Sequence, residues 1–307
     1  MKRWIPAFAG MTILISICLH AFAATGVVVE QSGGLYFVTP KGQKIIPKMG
    51  DEFYDGYQIY NTKNRAFLLL FYGELIELKT GQNFQVEKNS VKPKPYFPPP
   101  YTALEDAINV AKMGPVGIKA PLNANPPKGG MEGLYPIYGN ILPSPQINFQ
   151  WTGKDVLGKK PTFFFFEEAK EPKYKTFPIS KKTKSLAIAS QELGLQEGKT
   201  YHWFLGRLEK WPKAQSQVFT FQILSQNDQK QLNKDLKNIA SLGLSTKEGE
   251  NFLKANLFYH YQMFDDMINL LKPMYQKRTS RGFRRLLYLG YVRLGRYAMA
   301  KRYEEKN

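Results

Sequence analysis

The chain has 307 residues with 43 Lys and Arg against 25 Asp and Glu, a formal charge of +18, and it is 43% hydrophobic and 14% aromatic. That apolar and aromatic share excludes a disordered basic tail, and the length leaves room for two or three small domains. Composition therefore bounds architecture and compartment while leaving the ligand open.

Residues 1–23 read as an export signal: Lys2 and Arg3, an apolar run from Met11 to Leu19, then Ala21-Phe22-Ala23 as a small-x-small cleavage site. The run falls short of the roughly 20 apolar residues that span a bilayer. Translation can start at Met1 or Met11. With either start the mature chain is expected to begin near Ala24, to be periplasmic or secreted, and to have no transmembrane span after cleavage. Loss of Lys2 and Arg3 lowers the charge from +18 to +16, so the basic character belongs to the folded part. The single cysteine, Cys18, lies in the signal. A disulfide scaffold, a thiolate metal site and a cysteine nucleophile are thereby excluded from the mature chain, which fits a bacterial periplasm.

From Gly26 to about Glu87 short β-branched and aromatic runs alternate with turn residues. The runs are 26–30, 35–39, 58–60, 66–71, 75–78 and 83–86, and Gly33-Gly34, Lys41-Gly42, Asp55-Gly56, Tyr72-Gly73 and Thr80-Gly81 supply the turns. This spacing predicts a small sandwich or barrel. Gly50-Asp51, Asp55-Gly56, Ile59, Thr62, Ala66, Leu68, Phe71, Gly73, Leu78, Phe84 and Val86 follow the order of conserved positions in the FecR-like domain, which this segment of about 60 residues resembles. The resemblance implies an all-β periplasmic module, known from sensors that relay iron-siderophore uptake to a sigma factor. Tyr72 departs from the family's Asp before the turn glycine, and the cytoplasmic segment and membrane helix of those regulators are not expected here. The module is read as part of an envelope protein rather than as a complete sensor.

Between 89 and 134 the composition shifts to proline, with Lys92-Pro93-Lys94-Pro95, Pro98-Pro99-Pro100, Pro115, Pro121 and Pro126-Pro127. Proline lacks the backbone donor and fixes φ, so this reads as a semi-rigid linker interrupted by one short helix near 103–112. A proline-rich ligand for a partner's aromatic groove is the functional alternative.

Strands return from 135 to 225, at Gln146 to Trp151, Pro161 to Glu167, Thr176 to Ile179, Tyr201 to Leu208 and Gln217 to Leu224. Phe163 to Phe166 is apolar on both faces, which predicts a strand buried on both sides. Leu142-Pro143-Ser144-Pro145 before Phe149-x-Trp151, then Leu195-x-x-Gly198-x-x-Tyr201-x-Trp203 and Phe219-x-Phe221, resembles a fibronectin type III or related immunoglobulin-like sandwich. Such folds bind many things or nothing.

From 226 to 307 the period becomes helical, with Leu232, Leu236, Ile239 and Ala240 on one stripe. Two further units align at an offset of 33: Ala255 with Tyr288, Phe258 with Tyr291, Phe264 with Tyr297, Met267 with Ala300. The second unit, through Leu287, Tyr291, Leu294-Gly295, Tyr297, Ala300 and Tyr303, resembles a tetratricopeptide repeat. The first departs from it, with Gln262 in place of glycine and Met267 in place of alanine. About three stacked repeats are normally needed, so the array is expected to pack on the sandwich or to be completed by another chain. The fold expected is therefore multidomain, β then α: a small all-β domain (24–88), a Pro-rich linker, a β-sandwich and C-terminal helical hairpins.

The chemistry-bearing residues are sparse. His202 and His260 have no partner at metal-ligand spacing. Asp51, Glu52 and Asp55 surround turn glycines without calcium-loop spacing, and Glu167-Glu168 and Asp265-Asp266 are adjacent pairs that diverge. No nucleophile elbow, phosphate loop or dinucleotide fingerprint is present. No enzyme activity, cofactor or metal is expected.

The outstanding feature is charge: residues 272–307 hold eleven Lys or Arg against Glu304 and Glu305, a net +9 of the mature +16. Arg278, Arg281 and Arg285, at spacings of three and four, are expected to share a helix face, and Arg284, Arg293 and Arg296 complete a candidate surface for an anionic partner. Envelope proteins, anionic glycan and lipid headgroups are the candidate partners, with nucleic acid disfavoured by export. The expected role is an exported adaptor or scaffold that binds protein partners. The alternatives are a binder of cell-wall glycan or anionic surface polymer, and a sensor subunit of a FecR-type system.

Overall fold

The computed structural model describes residues 24–31, 33–70, 75–86, 132–152, 161–169, 173–207 and 218–304. The export signal, Cys18, Phe71 to Gly73, and the proline-rich stretch with its expected helix lie outside these residues. The layout is β-rich first and helical last, as the sequence predicts. It divides into two compact units, Met1–Pro98 and Pro99–Asn307.

Among the described residues of the first unit eight strands form two antiparallel four-stranded sheets. They are β1 (Ala24–Glu30), β2 (Leu35–Val38), β3 (Lys44–Ile45), β4 (Glu52–Tyr54), β5 (Gln58–Asn61), β6 (Ala66–Leu70), β7 (Leu75–Leu78) and β8 (Asn83–Gln85). One sheet has the order β4-β1-β6-β7 and the other β3-β2-β5-β8. Side chains alternate across a strand, so Leu35, Phe37 and Ile59 enter a core shared with Val28, Phe53, Leu68 and Leu70 of the other sheet. The buried Asn61 amide closes the β5–β6 corner, donating to Asn64 O at 2.7 Å and Leu78 O at 2.8 Å. Strands β3 and β4 have no apolar alternation long enough to mark them in the sequence.

Gly26 sits where β1 shifts register against β4. A Cβ there would lie 2.3 Å from Phe53 Cζ and 2.7 Å from Leu69 O. Backbone cannot yield as a side-chain tip can, so Gly26→Ala is expected to cost this unit about 1–3 kcal/mol. Denaturant melts followed by a probe confined to the first unit check this.

The second unit begins with strands β9 (Glu132–Tyr135), β10 (Asn140–Ile141), β11 (Gln146–Thr152), β12 (Pro161–Glu167), β13 (Lys175–Pro178), β14 (Ser185–Ala189), β15 (Thr200–Arg207) and β16 (Phe219–Ile223), with a short helix α1 (Ser190–Leu193) after β14. A five-stranded sheet, β10-β16-β15-β12-β13, faces a three-stranded one, β14-β11-β9. Phe149, Trp151, Phe163, Phe165, Tyr201, Trp203 and Phe221 meet between them. Their rings pack edge-on and offset, with Trp203 4.4 Å from Phe219 and Phe149 4.7 Å from Phe163. On the opposite face Phe164 stacks on Phe204 at 4.7 Å, and both are 2% exposed, so β12 is apolar on both sides for a packing reason.

Five helices follow: α2 (Gln226–Ser241), α3 (Lys247–His260), α4 (Phe264–Lys277), α5 (Arg281–Arg293) and the short α6 (Tyr297–Ala300). Ser225, Thr246 and Ser280 cap α2, α3 and α5 by accepting from the backbone N–H three residues on. Consecutive helices pack against each other in chain order. The 33-residue offset has a backbone counterpart: Gln262 between α3 and α4 takes φ 57°, and Gly295 between α5 and α6 takes φ 70°. The first unit of the array thus makes the same left-handed turn with glutamine that the second makes with glycine.

Candidate functional site

Charge concentration points to the helical segment, and geometry first explains what holds that segment in place. Residues 136–140 leave β9 and run between the sandwich and the α3–α4 turn. On the sandwich side the Trp203 indole N–H donates to Pro136 O at 2.6 Å, Thr220 N–H to Ile137 O at 3.0 Å and Gln222 N–H to Gly139 O at 2.9 Å. On the helical side Asn140 N–H donates to Gln262 O at 3.0 Å and the Asn140 amide to Tyr261 O at 2.8 Å. Those carbonyls terminate α3, where the helix has no internal donors left for them. Tyr138 lies parallel to Phe264 at 6.2 Å. The Tyr261 hydroxyl carries the connection on to α2, donating to Asp235 Oδ2 at 3.1 Å.

Arg296 forms the second tie. Its guanidinium donates to Leu134 O and lies 3.7 Å from Asp265 Oδ1, with both side chains 15% exposed. Arg296 Nε is buried and has no hydrogen-bond partner. Burial lifts the Asp265 carboxyl from 3.8 to about 6, outweighing the attraction of Arg296. Burial also raises Asp266, and burial with these two carboxylates pushes the Tyr135 hydroxyl up to about 12.

The six candidate arginines therefore separate. Arg278 and Arg281 are exposed, Arg284 and Arg285 are half-buried in the first turns of α5, and Arg293 reaches the Tyr259 hydroxyl at 3.4 Å. Arg296 is turned inward and corrects the expectation of an outward contact. The expectation that Arg278, Arg281 and Arg285 share one helix face is also corrected. Arg278 is extended (φ −144°, ψ 107°), and a new helix starts at the Ser280 cap. The outward cationic feature is thus the α4–α5 turn, where Lys277, Arg278 and Arg281 are exposed.

The other sequence candidates occupy structural positions. His202 is on the outer face of the five-stranded sheet, 2.9 Å from Thr220 Oγ1 through Nδ1 and stacked on Phe166 at 4.8 Å. Burial lowers its pKa. His260 contacts the Tyr261 ring edge-on at 5.0 Å. Asp51 accepts from Lys48 N–H, Asp55 from Thr25, and Glu167 pairs with Lys199 at 3.1 Å. Among the described residues no three His, Cys, Asp or Glu side chains converge as a metal site.

No family model matches the chain, and no curated protein matches it. Among solved structures, one described as "Cell surface anchoring domain" is similar over 22% of this chain and 88% of its own length, at 15% identity and a TM-score of 0.20.

Two outcomes test the junction. Gly139 has φ 95°, and a Cβ on it would lie 2.2 Å from Gln262 O. Gly139→Ala is therefore expected to cost about 2–3 kcal/mol and to raise amide exchange across α3 and α4. For Asp265 the folded pKa lies above the unfolded one, so its contribution to stability is largest below pH about 4. It is lost as pH rises through about 6, a span equivalent to about 3 kcal/mol. Thermal midpoints across pH 4–7 should fall less steeply for Asp265→Asn than for the wild type. Parallel curves would contradict the buried-carboxylate account.

Proposed function

We propose that the protein is an exported, non-enzymatic adaptor of the cell envelope. On this reading a FecR-like β module is joined through a proline-rich segment to a fibronectin-like sandwich carrying tetratricopeptide-like hairpins. One observation carries the proposal: Asn140 and Arg296 fix the hairpins to the sandwich, while Lys277, Arg278 and Arg281 stand exposed at the α4–α5 turn. The turn lies the length of α4 away from those ties, and Lys277 Nζ is 3.7 Å from Glu248 Oε1, which holds one of its three cations against α3. Arginine's planar fork suits carboxylate-bearing partners. Among the described residues no helix is long and apolar enough to cross a membrane.

Crosslinking in envelope extract at low salt, followed by mass spectrometry, tests the proposal. A defined acidic protein should be recovered with the wild type and lost with Arg278→Glu/Arg281→Glu, while far-UV dichroism is unchanged. Equal recovery by both proteins, or no protein recovered by either, would overturn it.

A further inference from the structure

The outer face of the sheet β3-β2-β5-β8 carries a row of side chains that the core does not use. Alternation places Tyr36, Val38, Lys44, Gln58, Tyr60, Asn83 and Gln85 opposite the buried Leu35, Phe37 and Ile59, with Val38 half-buried between Lys44 and Gln58. Tyr36 pairs with Tyr60 across β2 and β5, and Tyr60 with Asn83 across β5 and β8. The two tyrosine rings stack at 5.0 Å and 11°, and Lys44 Nζ lies 3.9 Å from the centroid of the Tyr36 ring. The Tyr60 hydroxyl donates to Gln58 Oε1 at 2.8 Å. The row runs across four strands, roughly 14 Å at a spacing of about 4.8 Å.

This surface is ordered before any ligand arrives. The two rings support each other in the stack, and the ammonium of the exposed Lys44 lies over the Tyr36 ring. Apart from the half-buried Val38, what it offers outward is hydroxyls, amides and cations. Lys41 and Lys48, both exposed, flank Lys44, and residues 31–50 contain no acid. The adjoining carboxylates are engaged, Asp51 by Lys48 N–H and Asp55 by Thr25 Oγ1. A protein interface would centre on a larger apolar anchor than the half-buried Val38, and a bilayer would need more than Val38 and Ile46, which is 74% exposed. Hydroxyl- and amide-bearing groups with a cationic end suit a polymer that carries both hydroxyls and anionic groups.

We propose that the outer face of this sheet binds an acidic polysaccharide, with Tyr36, Tyr60, Gln58 and Gln85 contacting the sugar and Lys44 pairing with its anionic groups. The site lies in the first unit and is independent of the adaptor reading, which rests on the α4–α5 turn.

Affinity electrophoresis of the full mature chain in gels containing polygalacturonate, with uncharged dextran gels as control and phosphatidylglycerol vesicles in parallel sedimentation, tests it. The wild type should be retarded by polygalacturonate and not by dextran, with retardation weakening as salt rises. Tyr36→Ala/Tyr60→Ala should weaken binding about tenfold, and Lys44→Gln should weaken it about threefold and flatten the salt dependence. Gln85→Ala leaves the ring stack and the Tyr60–Gln58 hydrogen bond intact, so a loss of about threefold there with unchanged far-UV dichroism cannot be ascribed to unfolding. Arg278→Glu/Arg281→Glu should bind as the wild type does. Absence of retardation, equal retardation by dextran, sheet variants that all bind like the wild type, or binding to vesicles alone would each overturn the proposal.

Discussion

Asn140 makes two hydrogen bonds to the carbonyls of Gln262 and Tyr261, and the arrangement of the second unit depends on them. A helix end presents carbonyls that no residue of its own can satisfy, and burying them without donors costs about 1–3 kcal/mol each. Here the donors come from a segment that Trp203 and Thr220 already hold to the sandwich, so closing the α3 terminus and docking the helical array are one event. Gly139 is the residue that lets the two backbones approach, because any side chain at that position would meet Gln262 O.

The ionic tie works differently. Arg296 and Asp265 are both largely withdrawn from water, and the carboxyl remains unfavourably placed despite its partner. Such pairs contribute more to orientation than to net stability, since desolvation cancels much of the Coulomb gain. Leu134 O supplies what the carboxylate does not, a fixed acceptor on β9 that sets where the end of α5 must lie. Hydrogen bonding to backbone locates the array, and the buried pair limits alternatives.

Much of the fold was legible because burial writes a period into the chain. Tyr201, Trp203 and Leu205 mark β15, and Leu232 and Ile239 mark the buried stripe of α2. Short strands were not legible. Lys44–Ile45 is too brief to show alternation, Glu132–Tyr135 follows directly on a proline- and glycine-rich stretch, and Ser185–Ala189 buries only Ile188. The candidate surface was partly legible. Counting charge found the α4–α5 region, but spacing alone could not tell that Arg296 leaves the helix after Gly295 and turns to β9. The Ser280 cap, followed three residues later by the buried Phe283, was the available sign that α4 and α5 are separate helices. The tyrosine row escaped because it exists only in cross-strand register, which the sequence does not display.

The brevity of β3 has a consequence for how the first unit behaves at high concentration. An edge strand with free N–H and C=O groups is a template on which another chain can add, and this one follows a lysine-bearing turn and ends against Ile46 and Pro47. Two residues offer too few ladder positions for stable addition. Pro47, which has no N–H, stops the ladder from extending, and the lysines make stacking of identical copies repulsive. The β3 border of the sheet thus stays open without becoming a seed for intermolecular β-aggregation.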